Sequence, residues 1–462
     1  MSETKVAVGI DVGSSQARVA VCANDSPRVV SNTLGHRSTM ALTALENGDS
    51  YVFGDAALRL LQKEKKPISS VRDILVNGVE EESAACEAFL GHLASLASDA
   101  TATTLGQLRV VLSVPVDASS DYVDTLKGVT EAGIKSAIAD KKQRKHHFVV
   151  GIISDPVAVC ISHRLTDTSS VLRSNILVID AGASGLSVSH LRTNGTSRIL
   201  SLVSHVRLEE VSCEALVTLL AKHVASQFER KNRVPAGDVW DSKKARLKLL
   251  QACESSLQSL KTSTIHITID GLYEGMDCHI EISKPRWEMV SGPLLRKAQA
   301  FLQEHVSLQP DTVLLAGSGS SFVGPSVDKA FPDCYRGISN IAPEEAVALG
   351  CARHAASYLE HDNVKLTTPT QDEVYVSPVA IGIGTSEDNV ETIIGKGTPL
   401  PAHVVHTLAS PQNCSIWQLL PSLKRVADLD YLPKDEDIEV LVELSINGTL
   451  SIAVQGGPVV TI

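Results

Sequence analysis

Three short turns in this chain carry the residue types that handle phosphate. The first, Asp11-Val12-Gly13-Ser14-Ser15, ends an apolar run that begins at Lys5 and precedes a second run, Ala17 to Cys22. The second, Asp180-Ala181-Gly182-Ala183-Ser184-Gly185, lies 169 residues further on, between the runs Asn175 to Ile179 and Leu186 to His190. The third, Ala316-Gly317-Ser318-Gly319-Ser320-Ser321, follows the run Thr312 to Leu315. Glycine or serine at a strand end lets backbone N–H groups approach an anion closely. An aspartate at the same place suits a hydrated Mg²⁺, which keeps its waters and takes one or two carboxylates. Two such turns face to face would grip a triphosphate from both sides, with Asp11 and Asp180 flanking the metal. Gly317 and Ser318 would cover the nucleoside end. A lone Asp-x-Gly is usually only a tight turn, but the repeat of strand, Asp-x-Gly turn and strand favours a shared role.

The turns need strands to carry them and helices to space them. Helical patterns run over Glu81 to Leu96, Leu208 to Arg230, Asp241 to Leu260, and from Pro343-Glu344-Glu345 to about Leu359, where proline and acidic residues suit a first turn. Alternating strands and helices predict α/β layers on mostly parallel or mixed sheets across 1–362. A polar stretch at 363–373 reads as a linker. From 374 to 462 the pattern is strand alone. Ile438 to Ile446 alternates apolar and polar residues, Asn447-Gly448 turns the chain, and Leu450, Ile452 and Val454 alternate back, the strongest hairpin signal present.

Composition narrows the classes. With 43% hydrophobic and 21% charged residues over 462, the chain is neither disordered nor fibrous. A net charge of −11 argues against a general nucleic-acid surface, so no DNA partner is expected. The opening residues lack a secretory pattern and no apolar stretch approaches membrane-spanning length, so no membrane partner is expected and the cytoplasm is the expected location. Nine scattered cysteines without a CxxC pair read as reduced core residues. The basic run Lys141-Lys142-Gln143-Arg144-Lys145-His146-His147 reads first as a solvated loop and second as a contact for RNA or an acidic face; no aromatic residue interleaves it for base stacking.

Taken in order, Ile10-Asp11-Val12-Gly13-Ser14-Ser15, Ser113-Val114-Pro115, Ile153-Ser154-Asp155-Pro156, Asp180-Ala181-Gly182, Leu272-Tyr273-Glu274-Gly275, Ala316-Gly317-Ser318 and Ala342-Pro343-Glu344-Glu345-Ala346-Val347 resemble the landmarks of the 70-kilodalton heat-shock chaperones, within the actin and sugar-kinase superfamily. The resemblance covers about residues 5 to 360 and, weakly, the stretch Gly397-Thr398-Pro399-Leu400-Pro401. It implies a two-lobed actin-like ATPase fold, a linker and a small truncated β-sandwich. The family's helical lid would follow Val454, and the sequence ends at Ile462, so a lidless member is expected. Such a chain resembles the non-canonical branch that partners a zuotin-type J-protein in the ribosome-associated complex. The resemblance assigns nucleotide binding to Asp11, Gly13, Ser14, Ser15, Asp180, Gly182, Glu254, Gly317, Ser318 and Glu344, with ATP and Mg²⁺ as cofactors and the ion held by Asp11 and Asp180.

The departures from the family pattern bear on turnover. Ser14 and Ser15 replace threonines and keep the hydroxyls. Arg72 stands at the water-positioning lysine, where a planar fork cannot replace a compact ammonium. Asp155 is one methylene shorter than the family's glutamate. Gly185 and Ser187 stand at a threonine and an aspartate. Glu209 and Glu210 replace paired glycines and would repel a polyphosphate unless they point outward. The adenine-stacking arginine has no match in Ser318 to Val323, where Phe322 is the substitute at hand, and Leu257 replaces a lysine. Phosphoryl transfer rests on positioning and charge. No catalytic residue is therefore assigned, and binding of ATP is expected to be weak or absent, with little hydrolysis. The expected function is an atypical heat-shock chaperone of the stress-response class. It acts as a cytosolic co-chaperone scaffold with a J-protein in nascent-chain folding, meeting the ribosome indirectly and supporting another heat-shock chaperone. The alternative is an autonomous ATP-driven peptide-binding chaperone; a sugar or acetate kinase is disfavoured by the Leu-Tyr-Glu-Gly landmark.

Overall fold

The computed structural model describes residues 5–46, 50–64, 69–77, 83–139, 144, 147–165, 174–194, 199–257, 264–306, 309–360, 379–395, 402–408, 414–420, 423–429, 438–444, 450–454 and 459–461. The first turn joins strands Val6–Val12 and Gln16–Ala23, paired antiparallel with Asp11 opposite Arg18. Val6–Val12 pairs on its other side, in parallel, with Leu108–Val114, which is followed by Val149–Ser154. Ser26–Val29 and Thr39–Met40 complete this sheet on Gln16–Ala23.

The second sheet repeats the plan. Asn175–Ala181 pairs antiparallel with Leu186–Asn194 and parallel with Thr312–Ala316, while Ile199–Leu208 lies at the far edge. The two halves form the lobes of an actin-like fold. Ala7, Val8, Ile10, Ile176, Val178 and Ile179 are buried because helices and strands cover both faces of the central strands.

Two helices fix how the lobes meet. Asp155–Ser162 and Ala346–Glu360 share one core with Ala7 and Val111 of the first sheet and Ile176, Val178 and Leu314 of the second. Ala346–Glu360 comes close enough to the strand Val6–Val12 and to Asp155–Ser162 to require glycine at both contacts. A β-carbon on Gly9 would lie 2.8 Å from the Cys351 carbonyl carbon, and one on Gly350 would lie 2.5 Å from that of Ala158. The outer part of the second lobe packs helices Cys213–Asn232 and Lys243–Leu257 on the hairpin Ile265–Tyr273 and Met276–Ile282, around Leu220, Phe228, Leu249 and Trp287.

Beyond 379 the described residues form two four-stranded antiparallel sheets. One is ordered Asn389–Ile394, Ala380–Ser386, Ser415–Leu420, Lys424–Asp428, the other Ala402–Leu408, Ile438–Leu444, Leu450–Val454, Val459–Thr461. Ile381, Ile383, Ile416, Val440, Val442 and Ile452 meet between them as one core, which makes the unit a sandwich. The expected hairpin is present with Val442 opposite Ile452 and Leu444 opposite Leu450. Its Asn447-Gly448 turn, the linker 363–373 and the stretch Gly397 to Pro401 lie outside the described residues.

Three helix starts differ from the sequence reading, and the helix expected to end at Leu96 runs on to Thr101. Leu208 closes a strand, and the helix starts at Cys213 because Ser212 caps it, its hydroxyl accepting from the Ala215 N–H at 3.1 Å. Pro343, Glu344 and Glu345 form a turn ahead of the last helix, with the Glu345 N–H donating to the Ala342 carbonyl at 2.9 Å; the helix itself begins at Ala346. The helix expected from Asp241 begins at Lys243, after a short turn Asp238–Asp241. Seven of the nine cysteines are buried, Cys213 and Cys334 being half-buried. No helix among the described residues is long and apolar enough to cross a membrane. Of the basic run, Arg144 and His147 are described and exposed. Arg144 Nε donates to the Ile138 carbonyl at 2.8 Å.

Candidate functional site

The two Asp-x-Gly turns close by the same backbone bond. The Gly13 N–H donates to the Gln16 carbonyl at 3.0 Å and the Gly182 N–H to the Gly185 carbonyl at 2.9 Å. Because the packed helices aim both strands inward, the turns touch: Ser14 Oγ and Ser184 Oγ are hydrogen-bonded at 3.0 Å. Below them opens a cleft of about 770 Å³. All ten residues singled out from the sequence as nucleotide contacts line it, together with Arg72, Asp155, Gly185, Ser187 and Leu257. Ser15 Oγ reaches across to Glu254 Oε1 in a long hydrogen bond of 3.5 Å.

The third turn is locked against the second. Gly317 adopts φ +80°, a left-handed conformation that favours glycine, and its N–H donates to the Pro343 carbonyl at 3.1 Å. A β-carbon there would run into the Asp180 carboxylate and lie 2.6 Å from the Ala181 carbonyl carbon. Ser318 Oγ lies 3.4 Å from Cys213 Sγ.

Three carboxyls share the cleft floor. Burial raises the Asp155 carboxyl to about 7 and the neighbouring Asp11 charge adds to this, while Arg72 works against it. Burial, then Asp11, raises Asp180 to about 6. Asp11 is raised by burial against the pull of Arg18, Arg72 and the Ser113 hydroxyl, which donates to Asp11 Oδ1 at 3.3 Å. Crowded, desolvated carboxyls are relieved by a cation, so the donor set fits a divalent ion. Among the described residues no group of three or more His, Cys, Asp or Glu side chains is arranged to hold a metal ion by itself. An ion here would lean on phosphate oxygens and water, as Mg²⁺ does.

These raised carboxyls predict a pH effect of unusual sign. From the ordinary value of 3.8 up to about 7, the folded state binds protons that the unfolded chain has released. Their contribution to stability is therefore largest in acid, falls as pH rises from about 4 to 7, and is flat above. Asp155→Asn, neutral at every pH, is expected to raise the unfolding midpoint of the cation-free protein near pH 8 and to lose that advantage near pH 5. Scanning calorimetry with chelator at both pH values reads this; an equal effect at both would assign the gain to packing.

The departures from the family pattern are placed as follows. Glu209 and Glu210 are exposed and do not line the cleft; Glu210 pairs with Lys297 at 2.5 Å. Phe322 is corrected as a candidate for base stacking: it is 9% exposed and packs edge-on to Trp287 with ring centroids 6.4 Å apart. Gly185 lacks a hydroxyl, but Ser184 next to it supplies one at the contact with Ser14.

Two residues went unnoticed in the sequence. His205 lines the cleft, its Nδ1 2.8 Å from Ser189 Oγ and its imidazole lowered below the ordinary value mainly by burial. Arg207 lines it too, its Nη2 donating to Ser184 Oγ at 2.8 Å. The available signal was the alternation of His205 and Arg207 in a strand leading back to the second turn.

The Hsp70 protein family model matches residues 7–140 and 147–413. Relatives include Heat shock 70 kDa protein 14 of Bos taurus, 24% identical over 88% of this chain and 86% of that protein. Heat shock 70 kDa protein 14 of Danio rerio is 24% identical over 96% and 95%. Heat shock 70-related protein 5 of Dictyostelium discoideum is 24% identical over 96% and 97%. The match takes in both lobes, all three turns and the first strands of the β-sandwich, and the chain belongs to the Hsp70 protein family.

Proposed function

We propose that this chaperone-like protein holds ATP with Mg²⁺ weakly in the cleft, hydrolyses it little, and works as a scaffold with a zuotin-type J-protein in nascent-chain folding at the ribosome. The observation that carries the nucleotide reading is the meeting of the two turns at Ser14 and Ser184 above Asp11 and Asp180. Opening that hydroxyl pair by the width of a phosphate oxygen presents it with two O–H donors. Gly13 and Gly182 bring backbone close on either side, while Gly317, Ser318, Glu254 and Glu344 form the wall for the nucleoside. Asp11 and Asp180 would hold Mg²⁺ through its waters; when bound, the ion supplies charge neutralisation to the phosphates.

Slow turnover follows from the positioning groups. Arg72 lowers the Asp11, Asp155 and Asp180 carboxyls through its charge, but its planar fork is ill suited to orienting one water. Ser187, on the strand paired with that of His205, is uncharged where the family has an aspartate. An autonomous ATP-driven chaperone is the second reading, favoured by the Ser184 hydroxyl facing Ser14.

Sucrose-gradient sedimentation of cytosolic extract, with and without high salt, tests the scaffold. Co-migration with ribosomes that depends on the J-protein supports it, under the cytoplasmic location proposed here. A free monomer with peptide-stimulated ATPase activity supports the second reading.

A further inference from the structure

Sheet register places three cleft residues in one row. Asp180 on Asn175–Ala181 lies opposite Ser187, and Ser187 lies opposite Arg207 on Ile199–Leu208. Directly paired positions share a sheet face, so the Arg207 side chain rises on the cleft face beside the second turn. There its Nη2 donates to Ser184 Oγ at 2.8 Å, and Ser184 Oγ in turn meets Ser14 Oγ at 3.0 Å. A guanidinium thus backs the hydroxyl at the closest approach of the two lobes.

This guanidinium acts on the Asp180 carboxyl through space, pulling it down. Among the described residues Arg207 makes no ion pair, and its Nε is buried without an acceptor. Leaving a charged donor unmet in a desolvated place is costly unless a ligand meets the group. Gly185 explains how the side chain fits: a β-carbon at that position would lie 3.0 Å from Arg207 Nε. The residue that lacks a hydroxyl on the second turn is therefore the one that makes room for a cation over it. The surroundings call for one, since Asp11, Asp155 and Asp180 would repel a polyphosphate; Arg72 offsets all three charges and Arg207 offsets that of Asp180, beside the second turn. Arginine's flat fork matches two phosphate oxygens at once.

We propose that Arg207, seated on Gly185 and tethered to Ser184, is a phosphate-binding residue that gives the cleft its affinity for the polyphosphate part of a nucleotide. This rests on the reading of the cleft as a nucleotide site and names the group that recognises the anion. Arg207 contacts phosphate and not the nucleoside, so its loss acts on charged ligands alone. Arg207→Lys keeps the charge without the fork and recovers part of the affinity.

The test titrates the full chain with MgATP, magnesium pyrophosphate and adenosine by calorimetry, for the native protein, Arg207→Gln, Arg207→Lys and Ser184→Ala, each checked for a native thermal transition. Arg207→Gln is expected to weaken MgATP and pyrophosphate about tenfold or more, the order of one lost charge-assisted contact, and to leave adenosine unchanged. Ser184→Ala, which frees the tether, is expected to weaken the same two ligands by less. Unchanged MgATP affinity in Arg207→Gln overturns the proposal while the nucleotide reading stands. Pyrophosphate binding that depends on Arg207, with no difference between ATP and pyrophosphate and none for adenosine, supports the anion site and removes the nucleoside reading. No heat with any of the three ligands for the native protein overturns both.

Discussion

Gly350→Ala is expected to lower the first thermal transition of the protein by about 6 °C or more, on an overpacking cost of about 3 kcal/mol. The added methyl would meet the Ala158 carbonyl group, its carbon 2.5 Å away, and this is backbone inside a helix that cannot rotate aside. Relief requires moving Ala346–Glu360 off Asp155–Ser162, and these two helices carry the core shared by both lobes. The loss should therefore appear in the transition that unfolds the lobes together. Gly128→Ala is the matched control. Gly128 is exposed within the helix Ser120–Ala137, and its β-carbon would meet nothing within 4 Å. Alanine there gains roughly 0.5–1 kcal/mol of helix propensity, so the midpoint should stay or rise slightly. Differential scanning calorimetry of both variants decides it; equal midpoints would mean that the helices pack less closely than the structure has them.

Single-turnover ATP hydrolysis is expected to stay near the uncatalysed background, at least about 100-fold below a canonical member of the family assayed beside it, even with a J-domain present. A misplacement of about 1 Å in a positioning group costs roughly that factor, and several such groups differ at once. Asp155 is a methylene short. Arg72 is a planar fork in place of a compact ammonium, Ser187 has no charge, and Gly185 and Arg207 together fill the space beside the second turn. The removal of positioning groups is not additive, so restoring one residue should return little of the rate. The combined variant Arg72→Lys, Asp155→Glu, Ser187→Asp is expected to gain more than the sum of the single changes in log rate. Robust turnover stimulated by a J-domain in the unaltered protein would falsify the scaffold reading of these loops.

The strand–turn–strand repeat was legible in the sequence because it is local chemistry. Asp11-Val12-Gly13 and Asp180-Ala181-Gly182 each end an apolar run, and small residues there leave the chain few alternatives to a tight turn. The β-sandwich was legible for the same reason: the period-2 alternation from Ile438 to Ile446 determines which side chains face inward once any sheet forms. Cleft membership of Glu254 and Glu344 came from the family resemblance, since neither is near a turn in sequence.

Boundaries were less legible. Leu208 carried an apolar period that continues into Val211 and Leu216, and periodicity cannot distinguish a strand end from a helix start when Ser212 is the only punctuation. Phe322 looked available beside the third turn because sequence shows proximity but not direction. Its ring turns into the core against Trp287, where burying an aromatic face is worth more than exposing it to an open cleft.

By itself, the order of residues determined that two Asp-x-Gly turns exist, that each carries hydroxyls and an aspartate, and that the chain ends in strands. Tertiary structure alone decided that Ser14 meets Ser184, 170 positions away, and that Arg207 stands over Gly185. It also decided that Glu209 and Glu210, which precede a helix in the same strand connection, point away from the cleft. The physical reason is the contact of Ala346–Glu360 with Asp155–Ser162 and with the first strand, which leaves no room for a β-carbon at Gly350 or Gly9: that fit orients the lobes, and the orientation converts separate turns into one charged cleft whose carboxyls lose their solvent together.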